Sequence, residues 1–219
     1  MDSSILMFLG VLPSGIWLMY FLRKDVHPEP NRMILLVFAA GMGSALVALA
    51  IERAVLPVFG GLSSPLSAFT SLFIGVALVE ELVKYGAVRF TVLNRRVVDE
   101  PIDIPLYFIV AGLGFAALEN VLVLMGAGVP WNTPEIAGLS ALRFLGAVFL
   151  HALVSGMLGY FIVRNRLFAG LCSAVILHGL FNWFILKEQG MFQFAVPALI
   201  IGVLATTLVY ALGQLKTAK

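Results

Sequence analysis

Seven ionisable residues sit inside long apolar runs, where only chemistry or packing could keep them: Glu80, Glu81, Lys84, Glu119, Arg143, His151 and His178. A charge near the centre of a bilayer costs roughly 3 kcal/mol on insertion scales, so such groups turn inward and tend to be functional. Glu80 and Lys84 are four residues apart and Glu81 and Lys84 three, spacings at which one ammonium can neutralise either carboxylate on a helix. Successive helical residues diverge by about 100°, so one of the two adjacent glutamates should reach the centre of a site and the other its wall. Phe115 with Glu119, His151 with Ser155, and His178 with Asn182 share helical faces at four-residue spacing.

Charge counting narrows the chemistry. Three carboxylates face one lysine, and Arg143, eight residues before His151 and therefore about 12 Å away on a straight helix, reads as a residue snorkelling to the interface. Either a carboxylate keeps its proton, or a divalent metal such as zinc sits among Glu119, His151 and His178. Both solutions are hydrolytic: a carboxylate can act as general base on a water, and a metal acidifies water and polarises a carbonyl. Asn120, Asn182 or an imidazole could then donate to an oxyanion.

The elements that must position these residues are membrane spans. Of 219 residues, 61% are hydrophobic and only 12% charged, and the mean hydropathy is +1.02; a soluble domain carries about 25% charge. Apolar runs at roughly 4–22, 33–51, 66–90, 104–126, 138–163, 167–186 and 194–213 are each about long enough to span. The expectation is an all-α, multi-pass cell-membrane protein of seven transmembrane helices, one domain over 1–219 with its motif-bearing core at 66–186. The start lacks the basic stretch of a cleaved signal, so the first helix is expected to be retained.

Alternate connectors separate the remaining basic residues. Arg23, Lys24, Arg32, Arg89, Arg95, Arg96, Arg164, Arg166, Lys216 and Lys219 fall on one side, against Arg53 and Lys187 on the other. The positive-inside rule places the N-terminus outside and the C-terminus in the cytoplasm. The net charge of +2 is too small and dispersed for nucleic-acid binding. In depth, the polar residues lie within about 6 Å of one plane through spans three to six. Four helices therefore deliver acids and imidazoles to one level, as a convergent site requires.

The same residues form motifs. Glu80-Glu81-Leu82-Val83-Lys84 reads EExxK; Glu100-Pro101-Ile102-Asp103 precedes a GFAxxEN segment in which Gly114-Phe115-Ala116 leads to Glu119-Asn120; His151-Ala152-Leu153-Val154-Ser155-Gly156 and His178-Gly179-Leu180-Phe181-Asn182 follow. These four ordered blocks, spanning 80–182, resemble the PrsW family of membrane-embedded proteases. The resemblance implies a peptidase acting on membrane-anchored protein substrates, and the family's founding member makes the first of successive cuts in a membrane-anchored anti-sigma factor. The family is similar in turn to the CAAX prenyl endopeptidases, in which paired glutamates, histidine and asparagine activate water. Two differences weigh against a prenylated substrate: Lys84 follows at a shorter spacing than the EExxxR arginine, and Glu119 stands where those enzymes have a histidine.

The resemblance implies roles for Glu80 or Glu81 as general base, with Glu80 favoured, and for Glu119, His151 and His178 as groups holding water directly or through a metal. Asn182 and Asn120 would serve the oxyanion, and Lys84 would be a charge partner. A proton- or cation-coupled transporter is the alternative, since midplane acids and histidines also make proton relays. Against it, the polar residues cluster in four consecutive spans and no repeated halves are visible. A serine protease built on Ser155 is weaker, because a nucleophile one turn from His151 on the same helix is poorly placed for attack.

Overall fold

The structure, a computed structural model, describes residues 2–23, 27–60, 63–128 and 132–217, all of it helix and connecting loop. Lys24 and Lys219, two of the basic residues used to orient the chain, lie outside the described residues. Seven helical segments are long and apolar enough to cross a membrane, as expected: Ser4–Leu22, Asn31–Phe59, Pro65–Thr91, Asp103–Gly126, Pro134–Val163, Leu167–Lys187 and Met191–Lys216. Side chains on their outer faces, such as Val58, Phe90, Phe168 and Leu199, are exposed as lipid-facing groups should be.

Two spans are not single α-helices. The third begins as α3 (Pro65–Thr70), opened by a Ser64–Ser67 capping box with Pro65 at its first position, and continues as a π-helical stretch, Ser71–Leu78, before α4 (Val79–Thr91). The wider π turn sits directly ahead of Glu80 and Glu81, a placement typical of functional sites. The fifth span, read as one run over 138–163, is broken into α6 (Pro134–Leu145) and α7 (Ala147–Val163) at Gly146, whose backbone (φ −103, ψ −88) is not helical. The remaining helices are α1 (Asp2–Leu22), α2 (Asn31–Phe59), α5 (Asp103–Gly126), α8 (Leu167–Lys187) and α9 (Met191–Thr217).

The centre of the bundle is α5, packed against α1, α2 and α7 and buried almost throughout, with Tyr107, Ile109, Val110, Ala111 and Leu113 fully enclosed. Small residues make this possible. A methyl added at Gly112 would lie 2.6 Å from Ser155 Oγ and 2.7 Å from the His151 carbonyl, and one at Gly114 would strike the Phe38 carbonyl. The glycines of this tract therefore set how closely α7 and α2 approach α5.

At the other end of α5, Asp103 turns back rather than capping its helix. Its Oδ2 accepts the backbone N–H groups of Asp99 (2.9 Å) and Glu100 (2.8 Å), fixing the loop before the helix. His27, exposed in the loop before α2, pairs with Glu100 at 2.7 Å.

Candidate active site

Lys84 organises the centre. It is 1% exposed, lies 4.7 Å above the Phe115 ring, and donates to Glu81 Oε1 at 2.6 Å and to His151 Nδ1 at 3.0 Å. An ammonium has donors only, so Nδ1 of His151 must present its lone pair and the ring hydrogen must sit on Nε2. That nitrogen faces Glu119 Oε2 at 3.0 Å, where it donates. His178 is held the opposite way round. Its Nδ1 donates to Glu81 Oε1 at 2.8 Å, leaving the Nε2 lone pair toward Glu80. The two imidazoles stand 5.0 Å apart with perpendicular rings.

Glu80 completes the group. Its Oε2 lies 3.8 Å from Lys84 Nζ and 3.9 Å from both His151 Nδ1 and His178 Nε2, yet among the described residues it has no hydrogen-bond partner. A buried carboxylate oxygen ringed at that distance by three nitrogens is poised for an atom between them. Both adjacent glutamates are thus at the centre, Glu80 toward the imidazole lone pairs and Glu81 as the acceptor that orients Lys84 and His178.

Glu119 lies at the more open side, with 29% of its side chain exposed. Its ion-pair partner is Arg143, whose Nη2 lies 2.9 Å from Oε2 without hydrogen-bond geometry and whose Nε donates to Asn120 Oδ1. Arg143 therefore does not snorkel outward: the break at Gly146 lets its guanidinium, in a side chain only 16% exposed, fold onto α5. Asn120 is engaged away from the centre, its Nδ2 directed at the Gly10 carbonyl at 3.5 Å. Asn182 is partly buried one turn beyond His178. Ser155 is buried at the α5–α7 contact against Gly112, and its hydroxyl has no hydrogen-bond partner among the described residues.

One acid was missed. Glu52 falls inside α2, which runs to Phe59 rather than ending near 51. It follows Ala45 and Ala48 on the face that packs against Phe115, Val79 and Leu118, and it feels the charges of Glu119 and Lys84. Its Oε1 is buried and unpartnered among the described residues. The i, i+3, i+7 spacing from Ala45 was the available signal.

For metal binding, the group that converges is Glu80, His151 and His178, with one ligand atom from each lying within 4.8 Å of the others. The sequence reading had Glu119 as the third member; the structure puts Glu119 behind the other nitrogen of His151 and brings Glu80 forward. Two imidazoles and a carboxylate suit zinc, once Lys84 gives up the Nδ1 lone pair of His151 that it holds here. The unpartnered Oε2 of Glu80 fits that use, and so does the Glu81–His178 hydrogen bond, the carboxylate–histidine support usual behind a metal ligand.

Residues 29–212 match the family described as PrsW family intramembrane metalloprotease. The chain is 32% identical over 203 residues to Protease PrsW of Geobacillus kaustophilus, covering 85% of each chain. It is 29% identical to Protease PrsW of Oceanobacillus iheyensis, over 84% of this chain and 83% of that one, and 27% identical to Protease PrsW of Bacillus subtilis, over 87% of each. No solved structure matches it.

Proposed function

The chain belongs to the PrsW family of intramembrane metalloproteases, and from that premise we propose that it is an endopeptidase cutting membrane-anchored proteins of the anti-sigma-factor type at Glu80. The observation that supports this is the Glu80 carboxylate oxygen, buried and without a hydrogen-bond partner among the described residues, facing the lone-pair nitrogens of two histidines from two other spans.

Glu80 accepts a proton from the attacking water and returns it to the leaving amine, the ordinary work of a positioned carboxylate. Lys84 keeps the cluster's negative charge compensated, and Glu81 holds Lys84 and His178 in place. Glu119 fixes the ring of His151 from behind. Asn182, on the His178 face of α8, is assigned to the oxyanion. Glu80, His151 and His178 would hold a divalent metal, zinc by donor type, with Glu80 then a ligand rather than the base and Lys84 releasing His151 Nδ1; when bound it supplies Lewis acidity to the water and the scissile carbonyl. Burial of these groups keeps bulk water out, so the carboxylate acts in low dielectric where its electrostatic effect is large. No observation favours the transporter alternative.

The test uses purified protein in liposomes with a single-pass reporter, stripped with a chelator and then resupplied with zinc. Cleavage lost on stripping and restored by zinc supports the full reading. Cleavage that survives thorough stripping overturns the metal while leaving a glutamate-only hydrolysis, and no cleavage in any state overturns the protease.

A further inference from the structure

We propose that Arg143 is a positioning residue of the hydrolytic site: held by Asn120, it fixes Glu119 so that Glu119 accepts the Nε2 hydrogen of His151 and holds the ring with Nδ1 on Lys84, beside Glu80. The inference rests on the reading that His151 serves the hydrolytic centre.

Thr133 caps α6 through the Ile136 N–H and Pro134 starts it, so α6 is a properly initiated short helix rather than a frayed start of α7. On one continuous helix Arg143 would stand about 12 Å along the axis from His151 and turned by roughly 80°. With the chain redirected at Gly146, the guanidinium instead reaches two consecutive residues of α5, pairing with Glu119 Oε2 at 2.9 Å and donating to Asn120 Oδ1. Asn120 is anchored in turn to the Gly10 carbonyl on α1. A planar guanidinium presents its donors to both acceptors in one fixed plane, which an ammonium on a flexible stem does less rigidly.

One oxygen carries the consequence. Glu119 Oε2 meets both Arg143 and His151 Nε2, at 2.9 and 3.0 Å. Glu119 is the most exposed carboxylate of the group, so without Arg143 it is free to rotate into water. His151 would then lose the acceptor that orients its ring from the Nε2 side. The alternative tautomer is unfavourable, because an Nδ1 hydrogen would oppose the Lys84 ammonium 3.0 Å away. The ring is thus set from both ends, by Lys84 at Nδ1 and by Glu119 at Nε2, and Arg143 controls the second end without touching the reacting atoms.

The experiment measures kcat and KM on the single-pass reporter in liposomes for the full-length protein and for R143Q, R143K, E119Q and R143Q/E119Q, with ring-nitrogen NMR of histidine-labelled samples. R143Q is expected to lose roughly 10–100-fold in kcat, the usual effect of removing an orienting partner, with KM little changed. R143K should recover part of the loss, and the double variant should be no slower than E119Q, since both act through one carboxylate. His151 should be protonated at Nε2 in both proteins, since Lys84 holds Nδ1, but in R143Q the Nε2 signal should move from that of a hydrogen bonded to carboxylate to that of one bonded to water. Additive losses in the double variant, or an Nε2 signal in R143Q identical to that of the wild type, would overturn the inference. So would wild-type kcat in R143Q beside an impaired E119Q, which leaves the site reading standing. Wild-type activity in E119Q would instead remove the site role of Glu119, and the inference with it.

Discussion

Lys84 Nζ and His151 Nδ1 meet at 3.0 Å across the interface of α4 and α7, and the same ammonium lies 2.6 Å from Glu81 Oε1. A single buried cation therefore joins a carboxylate of one span to an imidazole of another and settles which imidazole nitrogen offers a lone pair.

Lys84→Met should be the most damaging single change to stability at the centre. It removes the cation from beside Glu81, which is fully buried, and breaking one partner of a buried pair costs about 3–5 kcal/mol. Thermal unfolding in detergent should show a large loss in Tm, along with lost cleavage; an unchanged Tm would mean that Lys84 is not the compensating charge.

Glu81→Gln should fail differently from changes at Glu80. Glu81 Oε1 accepts from both Lys84 and His178, so the amide weakens two charge-assisted hydrogen bonds, each worth about 1.5–3 kcal/mol. Both Tm and cleavage rate should fall together. Activity lost at wild-type Tm would move the reactive role from Glu80 to Glu81.

Glu52→Gln should raise Tm. Its carboxylate oxygen has no partner among the described residues, and the cost of burying its charge, with repulsion from Glu119, outweighs the attraction of Lys84, so neutralising it removes a net penalty. A lower Tm would show that Glu52 has a stabilising partner.

Zinc binding should require the three convergent residues and tolerate loss of the fourth. Purified protein should take up about one zinc ion per chain, abolished by His151→Ala or His178→Ala and weakened roughly 10–100-fold by Glu119→Gln, which only supports His151. Metal analysis of purified variants checks this; full zinc content in His178→Ala would disprove the proposed ligand set.

Much of this architecture could be read from the sequence because a bilayer imposes its own ruler. Runs of about 20 apolar residues marked the seven spans, and any ionisable group inside one stood out. The depth argument worked for the same reason: rise per residue converts sequence position into height. Hydropathy is blind to backbone register, however, so it concealed the π-helical stretch over Ser71–Leu78 and the break at Gly146. The break is why Arg143 was misread as snorkelling. The long α2, continuing past 51, placed Glu52 beside the site although an apolar run ended before it. Side-chain direction was equally out of reach. Height alone could not say that Glu80 rather than Glu119 would face the imidazole lone pairs, or that Asn120 would turn toward Gly10.

The most direct measurement is the single-turnover cleavage rate of a single-pass reporter by Glu80→Gln in liposomes, taken with its Tm. The amide keeps the shape of a carboxylate that has no hydrogen-bond partner to lose at Oε2, so insertion and Tm should match the wild type while the rate falls about 100-fold or more. A wild-type rate in this correctly folded variant would contradict the account at its centre.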